Sequence, residues 1–69
     1  MVTNMYINGI LCDKVKLITI NNSYEIKVRI SNTGEWIELF NGNPKVDGIK
    51  ITLQLMTLLN QDELLIEEK

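Results

Sequence analysis

Lys27 and Arg29 stand two residues apart, and Trp36 and Phe40 four, so each pair can share one face of a β-strand. Cations in such a row meet phosphates or carboxylates, and aromatics beside them stack on bases or fill a partner's pocket. The chemistry implied is recognition. Covalent chemistry has little to work with. There is no histidine, which removes Ser–His and Cys–His nucleophile pairs and the commonest general base. Cys12, the one cysteine, follows Ile10 and Leu11 and precedes Asp13, an apolar and anionic setting that disfavours the thiolate. The glycines are scattered over turns instead of forming a phosphate loop, and Asp13, Asp47 and Asp62 read as single acids in separate loops, a poor start for Mg²⁺. The expectation is a protein that is not an enzyme and takes no cofactor and no metal.

A predicted hairpin holds the four recognition residues. Tyr24, Ile26, Val28 and Ile30 alternate with Glu25, Lys27 and Arg29; after the turn Ser31-Asn32-Thr33-Gly34, Ile37 and Leu39 alternate with Trp36, Glu38 and Phe40. If Ile37 and Leu39 join the apolar face, Trp36 and Phe40 stand with Lys27 and Arg29 on the other. Two readings of the aromatics stay open: burial beneath a helix or a second subunit, or an exposed platform. Glu25 and Glu38 on the same face weaken a phosphate-binding version and leave a protein-binding one intact.

A first strand is predicted over Val2 to Ile7, ended by Asn8-Gly9, and a second over Lys14 to Ile20, partly apolar on both faces and therefore central or covered on both sides. Asn21-Asn22-Ser23 turns into the hairpin, Asn41-Gly42-Asn43-Pro44 closes it, and a loop runs on to Gly48. Beyond Gly48 the sequence supports two readings. One is a short strand at 49–52 and a helix at about 53–61, capped by Thr52, with Leu55, Met56, Leu58 and Leu59 as an apolar stripe and Glu67-Glu68-Lys69 as a solvated tail. The other is a strand to Leu59, a turn at 60–63 and a return through Leu64 to Glu67. The fold class is α+β and β-rich, a small antiparallel sheet of four to five strands with one C-terminal helix; the alternative is all-β with a C-terminal hairpin.

Sixty-nine residues make one small domain, 1–69. A chain of this size buries only roughly 60% of its unfolded surface. A single cysteine forms no internal disulfide and no zinc set is present, so dimerisation is the remaining remedy; Leu53, Leu55, Met56, Leu58 and Leu59 read by default as core packing on the sheet, with a helix–helix dimer seam as the alternative. A formal net charge of −2 argues against strong non-specific nucleic-acid binding, which rests on phosphate neutralisation. The solitary thiol and the lack of a leader-like or membrane-length apolar run predict a cytoplasmic protein with no membrane partner.

The order of a strand, a turn with Gly34, a strand Trp36-Ile37-Glu38-Leu39-Phe40, a Pro-Lys loop, then Gly48-Ile49-Lys50-Ile51-Thr52-Leu53 and a Leu-rich segment resembles the positive-cofactor-four type of single-stranded-DNA-binding coactivator domain. The resemblance covers about half of the chain, 24–59. It implies a curved antiparallel sheet followed by one helix, and two copies that dimerise. It also implies Lys27, Arg29 and Trp36 near a nucleic-acid face and Leu55, Met56 and Leu59 near the dimer seam. Small phage proteins, including some inhibitors of bacterial immunity, resemble that fold. The expected function is a small non-catalytic binding or regulatory protein, phage-encoded, that acts as a homodimer. It would dock its sheet face on a host protein through Trp36, Phe40, Lys27 and Arg29. The alternatives are a weak single-stranded nucleic-acid binder and a small structural subunit.

Overall fold

In a computed structural model, which describes residues 4–69, the elements run β1 (Met5–Ile7), β2 (Ile10–Ile20), β3 (Ser23–Ile30), β4 (Trp36–Gly42), α1 (Lys45–Leu58) and β5 (Leu65–Glu68). β1 to β4 pair antiparallel in chain order, α1 packs on one side, and β5 pairs with β2 in parallel. The α+β, β-rich class with its antiparallel sheet and single helix is the one the sequence predicts. Val2 and Thr3, the start of the predicted first strand, lie outside the described residues. Among the described residues no helix is long and apolar enough to cross a membrane.

The turns form where the chain can adopt left-handed backbone. Asn8 (φ 51°) and Gly9 (φ 79°) join β1 to β2, Asn21 (φ 55°) opens the turn into β3, and Gly34 (φ 74°) sits in the loop before β4. Asn and Gly take that region at least steric cost. β2 is interior, as its two apolar faces predict, with β3 on one side and β1 and β5 on the other. Val15 opposes Val28 and Leu17 opposes Ile26. These four, with Cys12, Tyr24, Met56 and Leu59, are the core between sheet and helix.

The helix departs from expectation. It begins at Lys45, the predicted strand at 49–52 is helical, and the chain does not run to its end as a tail. The residues that α1 buries are Gly48, Thr52 and Met56, followed by the capping residue Leu59. Their spacing is that of one helical face. Two of its members are not apolar, so hydrophobic pattern does not reveal the stripe. Thr52 keeps its hydroxyl satisfied by donating to Gly48 O at 2.7 Å. Pro44 precedes the first turn without a capping side chain, and Lys45 N–H donates instead to Asn22 Oδ1 at 3.3 Å, so the β2–β3 turn finishes the helix N-terminus.

The outer edge of β2 is completed in three pieces. β1 pairs Ile10 to Cys12, and β5 pairs Lys16 to Thr19. Between them Val15 N–H donates to Gln61 Oε1 and Gln61 Nε2 donates to Val15 O, both at 3.0 Å. One side-chain amide thus acts as a single residue of an inserted strand. Gln61 is itself fixed, its backbone N–H donating to Met56 O at 2.8 Å and its Nε2 to Glu63 O at 2.9 Å. Glu67 and Glu68 lie in β5, and Lys69 N–H donates to Thr19 O at 2.9 Å.

Candidate functional site

Cross-strand register assigns the side of the sheet away from α1. Val15, Leu17 and Thr19 lie on the helix side of β2, so Lys14, Lys16, Ile18 and Ile20 lie on the open side. With them go their β3 partners Arg29, Lys27, Glu25 and Ser23. β4 adds Trp36 opposite Arg29 and Glu38 opposite Lys27; β5 adds Leu65 opposite Lys16 and Glu67 opposite Ile18. Across the strands the face reads as an acidic row (Glu67, Ile18, Glu25), a mixed row (Leu65, Lys16, Lys27, Glu38) and a row ending on an aromatic (Lys14, Arg29, Trp36).

A bulge shapes the last row. Register shifts between Cys12 and Lys14, leaving Asp13 as the extra residue against Arg29. Arg29 Nε donates to Asp13 Oδ1 at 2.9 Å and Nη2 to Oδ2 at 2.8 Å, a two-pronged ion pair. The hydrogen bonds from Arg29, with its charge, hold the Asp13 carboxyl below the ordinary carboxylate range, and the same bonds raise Arg29. Next to this pair, Lys16 reaches across β3 until its Nζ lies 4.5 Å from the centroid of the Trp36 ring. Trp36 is half-buried. Cys12, on the core side, is buried, and burial followed by the Asp13 charge pushes its thiol up, as befits an unreactive core cysteine.

A second bulge separates the two aromatics. The β3–β4 register shifts between Ile26 and Lys27, and Phe40 comes to stand opposite Ile26, a core-side position. Trp36 and Phe40 therefore do not share a face, which corrects the expectation drawn from simple alternation. Lys27, Arg29 and Trp36 stand together on the open face, and Phe40 lies on the helix side, 46% exposed. The expected dimer seam is corrected as well: Met56 and Leu59 are buried in the chain's own core and Leu55 packs against it, while Val46, Leu53 and Leu58 are the large apolar residues that α1 exposes.

No family model, curated protein or solved structure matches the chain.

Asp13 and Lys16 are the residues of this face that sequence reasoning misses. The alternation of Lys14 and Lys16 with Val15 and Leu17 places both lysines opposite the core. Only the cross-strand register, however, brings Lys16 to Trp36, and only the bulge brings Asp13 to Arg29. Of the face's cations, Arg29 is bound to Asp13 and Lys16 lies over the indole, while Lys14 and Lys27 join no ion pair among the described residues. Three further carboxylates, Glu25, Glu38 and Glu67, share the surface.

Proposed function

We propose that this chain is a small, non-catalytic binding protein that docks its open sheet face on a protein partner, with Trp36 as the anchor. The observation that carries the reading is the setting of Trp36, half-buried beneath Lys16 and beside the Arg29–Asp13 pair. A positioned aromatic ringed by both signs of charge is the make-up of a protein interface. A phosphate-reading face needs uncommitted cations; here Arg29 is neutralised and carboxylates are interleaved with the lysines.

The same reading includes a homodimer through the helix side. A helix about 10–12 Å wide covers only about two strands spaced about 4.8 Å apart. The flanks of this sheet are thus left uncovered, with Phe40 and Ile66 exposed on them, and α1 itself exposes Val46, Leu53 and Leu58, all five between 46% and 55%. A small core is the condition that a second copy relieves. Sedimentation should show a concentration-dependent dimer that Leu53→Lys with Leu58→Lys converts to monomer.

The docking reading is tested with a photo-crosslinking residue at position 27 on the open face and at position 50 on the outer side of the helix. Crosslinks at 27 to a protein other than a second copy, absent at 50 and lost in Trp36→Ala, support it. Equal yields of such crosslinks at both positions, or salt-sensitive quenching of Trp36 by a single-stranded oligonucleotide, would overturn it, the latter in favour of a nucleic-acid partner.

A further inference from the structure

The two edges of the sheet are finished differently. Beyond β2, among the described residues, lie two short strands with the Gln61 amide between them, the usual way of blunting an edge. β4 spans seven residues and pairs with β3 alone, so its outer edge has no backbone partner among the described residues. That edge has a chemical signature. Glu35 at its entry and Glu38 within it are both exposed, and Asn41 Nδ2 holds Glu38 by donating to Oε2 at 3.0 Å. No cation lies on β4; Lys27 and Arg29 sit one strand further in, and Arg29 is taken by Asp13. On the helix side the same strand offers Ile37 and the exposed Phe40.

We propose that β4 is a strand-addition site for an extended basic peptide segment in which cationic and apolar side chains alternate. This specifies the partner of the docking reading above and rests on it. The segment's main chain completes the hydrogen bonds of the β4 edge, and its alternate side chains supply the selectivity. On the open side its cations meet Glu38, which Asn41 holds in place. On the helix side its apolar residues cover Phe40. A second copy's β4 is the wrong occupant, because it carries the same Glu35 and Glu38 and sets like charges against each other.

The test uses the full chain, isotope-labelled, titrated with three blocked octapeptides. These are alternating lysine and valine, alternating glutamate and valine, and the lysine–valine peptide N-methylated at every residue. The first should bind with slowed hydrogen exchange at amides of 36–42, and the other two should bind about tenfold more weakly or worse. Glu38→Lys should reverse the preference between the lysine and glutamate peptides. Equal binding by the N-methylated peptide would overturn strand addition, since it keeps the charge and lacks the donors. Binding that shifts open-face resonances while leaving β4 exchange unchanged would overturn the edge site and leave face docking standing. No binding by any peptide, with Trp36-dependent protein crosslinks intact, likewise overturns the edge site alone. Loss of those crosslinks in favour of oligonucleotide binding removes the reading beneath it.

Discussion

The ring of Tyr24 lies directly against the backbone of Gly48, where a Cβ on the glycine would fall 2.7 Å from both Tyr24 Cβ and Cδ2. This contact sets how closely α1 approaches β3. Gly48→Ala improves helix propensity by about 1 kcal/mol. It also forces an overpacked contact costing about 1–3 kcal/mol or more. The variant should therefore be less stable in urea unfolding. In a Tyr24→Gly background, which removes the Cβ as well as the ring, the same substitution should be neutral or stabilising. A Gly48→Ala protein as stable as the parent would show that the ring does not occupy that place.

Gln61→Ala should cost more than an ordinary surface truncation. It strips partners from the N–H and C=O of Val15, a residue with no exposed surface. Each unmet buried group costs about 1–3 kcal/mol, less whatever water recovers. Gln61→Glu should not restore stability at neutral pH, because a carboxylate oxygen then faces the Val15 carbonyl. Denaturant midpoints for the three proteins decide it, and a glutamate variant equal to the parent would remove the clamp from the account.

Acid should weaken the fold through Asp13. Its folded pKa is lowered, chiefly by hydrogen bonds from Arg29, so the native state holds fewer protons there than the unfolded chain. The contribution is present above the unfolded value of about 3.9 and is lost as pH falls through the folded one. Arg29, raised by the same pair, stays charged throughout. Urea midpoints should fall as pH is taken through the acidic range, and Asp13→Asn should show a shallower fall. Parallel curves for the two proteins would mean that the pair confers no pH dependence.

Lys16→Gln should change the emission of Trp36, the one tryptophan, by removing the ammonium above its ring. Stability should fall by about 0.5–2 kcal/mol at this half-buried site. Unaltered emission would place Lys16 elsewhere in solution.

The hairpin from Tyr24 to Leu39 is legible in the sequence because strict alternation and a glycine turn state it twice. The start of α1 is not, since its buried stripe begins with Gly48 and Thr52 and its exposed flanks carry Val46, Leu53 and Leu58. Alternation at Ile49, Ile51, Leu53 and Leu55 imitates a strand there. The face of Phe40 is lost for a different reason: one extra residue in β4 inverts every later side chain, and no local signal announces it. The Asp13–Arg29 pair depends on the corresponding irregularity in β2.

The Gln61 clamp also has a kinetic meaning. The three antiparallel pairings close over short turns, but Val15 and Gln61 are 46 residues apart in the chain. Bringing such distant segments together carries a loop-closure cost that the hairpins escape, so the meander forms first and the β2 edge is shut last. During that delay β2 carries bare backbone groups beside apolar side chains, the condition under which unfinished chains pair with one another. The step that completes the sheet is therefore also the step that ends the chain's exposure to aggregation.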